Sequence, residues 1–496
     1  VVGQFAFYSN VDGSDNTAVG AHALDANTTG SENVAIGRHA MADNTTGNSN
    51  VAIGHQALDD NTTASGNVAI GNHACMNNHN GSNLVAVGDQ ALENLGTSSS
   101  NNTAIGAHAM QDTTSSENCV AVGSYALENN TTGGNNTAVG HIALQDTTTG
   151  NSNVAVGTYA LQQNTTGSNA VAVGYQALSG NTSGASNVAL GNGSLRENTT
   201  GNFNNAIGFN SLVLNTTGSG NVALGHGCLD ATTTGNYNVG IGYLNLTDNS
   251  TGDGNTSVGF RALDANTTAS YNTAMGYNSL TANTTGDHNT GFGTNTLASC
   301  TTGNENTMVG RDAGISVTTG SQLNAFGTDS LKTAQASTQC NAFGNLALSS
   351  FNSTGKNNAF GQQALQDCTT GASNSAFGHD CAREITTGGQ NSGFGHAALQ
   401  NQTTSDNNSA FGFAALAACT TADQNTAVGS NALVAATTGH INTAVGANAG
   451  DSVTTGQSNS LVGVNAGAAI TTGSFNVAVG EGALVALSTG SNNIAI

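Results

Sequence analysis

The stretch Asn33-Val34-Ala35-Ile36-Gly37-Arg38-His39-Ala40-Met41-Ala42-Asp43-Asn44-Thr45-Thr46-Gly47-Asn48-Ser49 is one unit of seventeen residues, and the chain is little else. The glycine closing its apolar pentad returns at Gly3, Gly20, Gly37, Gly54, Gly71 and Gly88. After one step of eighteen it resumes at Gly106 and recurs every seventeenth residue to Gly480. A fixed period of this length, sustained over twenty-nine glycines, is the signature of a solenoid, in which each unit touches mainly its neighbours. Length then adds coils, so the 496 residues read as one uninterrupted array, 1–496, rather than several globules.

Taking the periodic glycine as position zero, position −1 is large and apolar. It is Ile36, Ile53 and Ile70 early in the chain, and Phe326, Phe343, Phe360, Phe377, Phe394 and Phe411 in six consecutive units later. Position −2 is nearly always Ala, and −3 is usually Val, Thr or Ser, so the pentad predicts a short β-strand with alternate residues on opposite faces. This reading places the −1 column inside the solenoid, ring upon ring. The Ala column then lies either on the outside, as a flat strip suited to packing against another chain, or in a narrow interior corner. Position +4 is Leu or Met in most units (Leu24, Met41, Leu58), normally after Ala, which predicts a second short strand.

Position +7 is Asn in much of the first half (Asn27, Asn44, Asn61) and Cys300, Val317, Phe351, Cys368, Ile385 and Cys419 later. A position that exchanges Asn for apolar residues points inward, where the amides form a ladder from coil to coil. Where +4 is glycine, at Gly314, Gly450 and Gly467, +7 becomes Val317, Val453 and Ile470, as expected of two positions sharing one interior volume. Thr-Thr-Gly and a few polar residues close the unit as a turn. The expected core ladder is therefore Ile36, Ile53, Ile70, Phe326, Phe343, Phe360, Phe377, Phe394, Phe411, Asn27, Asn44, Asn61, Leu24 and Leu58. A lone coil cannot bury its apolar face, so stacking is obligatory. At about 4.8 Å per stacked strand the coils predict a rod of roughly 140 Å.

Composition narrows the function classes. Seven basic residues against 29 acidic ones give a net charge of −22, whereas phosphate backbones are bound by clustered Lys and Arg, so no nucleic-acid partner is expected. No apolar run approaches the roughly 20 residues of a membrane-spanning helix. The chain opens and stops mid-unit, which reads as an uncapped segment of a longer fibre.

The pentads NTAVG, NVAIG and NVALG, with the following A-L or A-M and N-T-T-G, resemble the head repeats of trimeric autotransporter adhesins. They are also similar to the tandem NTAVG-xx-AL-xx-NTTG arrays of phage and viral tail-fibre proteins. The resemblance covers essentially the whole chain, although the adhesin unit is shorter than seventeen residues. It implies an all-β parallel β-roll, three identical chains side by side, extracellular or virion-borne, serving as stalk or adhesive head. The expected partners are copies of the chain itself and a host-cell surface or its glycans.

Residues that suggest chemistry have simpler readings. The eight cysteines form no C-x-x-C pair and fall at several phases, as small buried residues do, without ligand spacing for zinc. Histidines at +2 (His22, His39, His73, His108) occupy a variable, solvent-facing position. The acidic residues are scattered rather than in phase and the glycine-aspartate nonapeptide is missing, so no periodic calcium roll is expected. No nucleophile, phosphate-binding or paired-carboxylate motif stands out, so no catalytic, cofactor-binding or metal-binding residue is assigned and no enzyme is expected. Asn-Thr-Thr is a formal glycosylation sequon, silent where its Asn is internal. The Thr-Thr column suggests a second class, an ice-binding solenoid, and a glycan-coated extracellular fibril is a third. The reading preferred here is a stiff fibre shaft with a possible adhesive surface.

Overall fold

A computed structural model describes residues 1–96 and 99–496. The chain divides into two compact units, Val1–Thr251 and Gly252–Ile496. Regular structure among the described residues is β throughout: 29 strands, each of three residues except the last. The first unit carries β1 (Thr17–Val19) through β14 (Val239–Ile241), and the second carries β15 (Thr256–Val258) through β29 (Ile494–Ala495). Consecutive strands within each unit pair in parallel, seventeen residues apart. β1 meets β2 (Val34–Ile36) as Thr17↔Val34, Ala18↔Ala35 and Val19↔Ile36. The single step of eighteen is absorbed outside the strands, since Ala86 still faces Ala104. The fold is thus a parallel β-solenoid with a 17-residue turn.

The strands alternate as period two requires, but in the opposite sense to that expected. Ala18, Ala35, Ala52 and Ala69, at −2, are fully buried. Ile36, Ile53 and Ile70, at −1, face outward with 38%, 36% and 38% of their surface exposed. Phe326, Phe394 and Phe411 are likewise exposed, while Phe343, Phe360 and Phe377 are half-buried, sheltered by one another. The −1 residues are therefore not interior, and of the two readings of the alanine column the interior corner is the one observed. The reason is the thinness of the coil. Three residues of strand facing a tight turn leave room at −2 for a methyl group, not for a ring.

The second apolar pair is not a strand either. Residues +1 to +6 form a continuous bend in which +2 and +4 take left-handed backbone: His22 and Leu24 have φ 58° and 54°, His39 and Met41 56° and 54°. That conformation costs an L-residue roughly 1–2 kcal/mol. It is held here because each bend bonds to the next coil, as in Leu24 N–H to Ala40 O (3.2 Å) and Met41 N–H to Ala57 O (2.9 Å). Its benefit is that the +4 side chain turns inward: Leu24, Met41 and Leu58 are fully buried.

The periodic glycine takes φ near +140°, and a Cβ on Gly37 would overlap the carbonyl of Gly54 in the coil above. Backbone packs against backbone along that column, which only glycine permits.

The interior is polar on one side. Asn27, Asn44 and Asn61 at +7 are fully buried, and Asn44 Nδ2 donates to Asn27 Oδ1 (2.8 Å) and to Gly47 O (3.1 Å). A second asparagine column at −4 lies beside it. Asn33 Nδ2 donates to Gly47 O (2.8 Å), and Asn33 Oδ1 accepts the backbone N–H of Asn50 (3.0 Å), so this side chain bonds each coil to the next just before the strand begins.

Volume is traded among three positions rather than two. A Cβ on Gly314 would lie 3.1 Å from Met308 Cε, and one on Gly467 would lie 2.8 Å from Leu461 Cδ2. Met308 and Leu461 stand at −2, where Ala is the rule, so a large −2 residue fills what a glycine at +4 vacates.

Candidate functional site: the outward face of the strands

With alanine inside, each strand presents its −3 and −1 side chains outward. In the first unit this gives paired files: half-buried Val34, Val51 and Val68 beside exposed Ile36, Ile53 and Ile70. In the second unit the −1 file becomes a stack of phenyl rings. Phe326, Phe343, Phe360, Phe377, Phe394 and Phe411 follow one another at centroid separations of 4.6–4.8 Å and interplanar angles of 4–10°. The separation is the strand spacing itself, so the rings cover one another's faces and offer their edges. The apolar surface of each unit is thus contiguous along its strands rather than scattered.

Beyond the periodic glycine a second file continues the apolar character with exposed rings at +1, among them Tyr175, Phe209, Tyr243 and Phe413. Stacks join it: Phe209, His226 and Tyr243 lie 5.2 and 5.1 Å apart, and at +2 His22 stacks on His39 at 4.9 Å.

The polar residues singled out in the sequence are dispersed. His22 Nδ1 meets Asp25 Oδ2 at 2.8 Å, with both side chains about a third exposed. Asp43 and Asp60 have carboxyls held above their ordinary range, mainly by partial burial and then by the neighbouring Asp59. All eight cysteines are buried. Burial pushes the thiols of Cys75, Cys228, Cys368 and Cys381 up to about 12 and those of Cys300 and Cys340 to about 11, the opposite of what a nucleophile needs. Several stand in for ladder asparagines. Cys119 Sγ reaches Gly133 O at 3.4 Å, matching Asn136 Nδ2 to Gly150 O one coil on.

The threonine columns divide. Hydroxyls at +8 are spent on backbone, Thr28 Oγ1 donating to Thr45 O (2.9 Å) and Thr45 Oγ1 to Thr62 O (3.0 Å). Only the +9 file, Thr29 and Thr46, is exposed. The sequon asparagines Asn27, Asn44 and Asn61 are enclosed, with their amides already bonded.

The asparagine column at −4 and the outward strip both escaped the sequence reading, yet each left a signal. Beyond the first coil, position −2 accepts only Ala, Gly or Ser except where +4 is compensated, and position −1 accepts Val, Ile, Leu, Met and Phe freely. Tolerance of volume belongs to a surface and intolerance to an interior. Among the described residues no helix is long and apolar enough to cross a membrane. A long β-solenoid of this kind is compatible with a structural fibre shaft. No known family model matches the chain, and no curated protein matches its sequence.

Proposed function

We propose that the chain is the shaft of an extracellular or virion-borne fibre, built from three copies associated side by side along the outward strand face. The observation that carries this reading is the exposed −1 column, apolar coil after coil with no turn of its own chain covering it. Fourteen strands at about 4.8 Å, with two outward residues each, give the first unit a strip of roughly 600 Å². That is comparable to the ~800 Å² per partner of a stable interface, and the second unit adds its own strip. Three identical chains turned so that their strips face a common axis each contact two neighbours, a heterologous arrangement that closes into a ring. The role is mechanical: backbone bonds repeated every coil and two internal amide ladders make a stiff spacer. The exposed +1 and −5 side chains, such as Phe413 and Tyr237, are available to a host surface or its glycans. No catalytic role is proposed.

An ice-binding role has less support, because the +8 hydroxyls face backbone acceptors and leave a single threonine file instead of a two-dimensional array. The test is sedimentation of the full chain. A particle of three times the 49.0 kDa chain mass supports the reading. A monomer at micromolar concentration refutes it, and so does assembly unchanged in an Ile53→Lys/Phe360→Lys variant. Thermal hysteresis without assembly would favour the ice binder instead.

A further inference from the structure

We propose that His379, Asp380 and His396 form a surface site for a divalent transition-metal cation of the zinc type. Among the described residues this is the group of three such side chains whose ligand atoms lie together, all within 4.8 Å of one another. The solenoid produces it by register. His379 and His396 occupy position +1 of successive coils, so their rings stack at 5.2 Å and 6°. Asp380 follows His379 at +2, where the bend takes φ 55°, and its carboxylate lies close to the ring nitrogen of His379.

The carboxylate is already buried and pre-placed. Its Oδ2 lies 3.0 Å from His379 Nδ1, and its Oδ1 is enclosed without a hydrogen-bond partner. The nearest cation, Arg383, stays 3.8 Å from Oδ1 because its Nη2 is held by Glu384 Oε1 at 2.7 Å. Asp380 is thus a largely enclosed carboxylate whose Oδ1 has a distant ion-pair neighbour but no hydrogen bond, beside two imidazoles.

Two imidazoles and a carboxylate suit zinc, cobalt, nickel or copper, with bonds of about 2.0–2.2 Å for zinc. Ligand atoms around such an ion stand roughly 3.4 Å apart, so the present 4.8 Å limit requires the rings to tilt toward each other by an ångström or so. The side chain of His379 is 44% exposed and free to turn, while the buried carboxylate keeps its place. A cation here would lie between His379 Nδ1 and Asp380 Oδ2, which already stand 3.0 Å apart, and solvent would complete its shell. It would also bond one coil to the next, fastening the surface of the second unit.

Metal-stripped full chain titrated with zinc by calorimetry, and with cobalt followed by its visible absorption, tests the site. One saturable cation per chain is expected. His379→Ala and His396→Ala should each weaken it at least about 10-fold. His226→Ala, whose ring is stacked but outside the group, should leave it unchanged. Both His379 and His396 are surface residues, and a circular dichroism melt confirms that their variants fold, so the result does not depend on the buried Asp380→Asn. No saturable uptake up to about 1 mM zinc, or uptake insensitive to both histidine variants, overturns the assignment.

Discussion

Replacing Met308 by Ala and Gly314 by Leu, singly and together, tests which way the strand faces. Met308 is fully buried at −2, and a Cβ on Gly314 would come within 3.1 Å of its Cε and Sδ and 3.4 Å of Leu297 Cδ2. Met308→Ala alone empties that volume and costs about 2–5 kcal/mol. Gly314→Leu alone overfills it, for about 1–3 kcal/mol, and puts an L-residue at φ 60°, for roughly 1–2 more. The double variant recreates the arrangement of most other coils, Ala at −2 with Leu at +4. Cavity and overlap then cancel, leaving mainly the left-handed term, and the coupling between the two changes should exceed about 2 kcal/mol. Global melting is a poor reporter in a repeat array, where one weak coil can open alone. Native-state hydrogen exchange reads the effect locally. Suitable reporters are the Gly310 amide, bonded to Phe292 O at 2.8 Å, and the Asn324 amide, bonded to Cys340 O at 2.9 Å. Protection lost in each single variant and restored in the double is the expected outcome. Costs that simply add within about 0.5 kcal/mol would mean that Met308 does not share the +4 volume, and the inward assignment of −2 would fail.

Two further outcomes follow from the interior and one from the surface. Thr147 interrupts the +7 ladder, leaving both its own Oγ1 and Asn130 Oδ1 buried without partners. Thr147→Asn should donate to Asn130 as Asn181 does to Asn164 (2.8 Å), raising local exchange protection by about 1 kcal/mol, and a loss of protection would contradict the ladder. Gly54→Ala would drive a methyl group into the carbonyl of Gly71 at φ 143°, so loss of more than about 3 kcal/mol around that coil is expected by the same measurement. Burial, and then the neighbouring Asp59, raise the carboxyls of Asp43 and Asp60 above 3.8 in the folded state. The folded chain therefore binds these protons more tightly than the unfolded one, and stability from these groups grows as pH falls through the window just above 3.8. In an Asp43→Asn/Asp60→Asn variant, local exchange protection around those two coils should exceed the parent's at pH 7, with the gap closing toward pH 3. A gap independent of pH would exclude the electrostatic cause.

Much of the fold was legible in the seventeen-residue period. Register, parallel pairing and the coil's inward +4 position follow from one glycine column and the Leu or Met four residues on, because a repeat that must stack on itself puts like beside like. The candidate site was less legible, since the reading hung on one bit: whether Ile36 and Phe326 or Ala35 and Ala325 faced in. Size suggested the former. The pattern of exceptions, Met308 with Gly314 and Leu461 with Gly450 and Gly467, already pointed to the latter, because those exchanges conserve volume only if −2 is enclosed.

What the repeat alone determined is the one-dimensional order of the molecule: which residues form columns, and that every column is bonded from coil to coil. What only the tertiary structure decided is the direction of each column. Direction depends on how sharply the bend after Gly37 closes, and that bend is set by left-handed turns at His39 and Met41, residue types that give no sign of such backbone in a sequence. The sharp closure leaves an interior wide enough for alanine, leucine and asparagine, and it leaves isoleucine and phenylalanine on the outside, available to another chain.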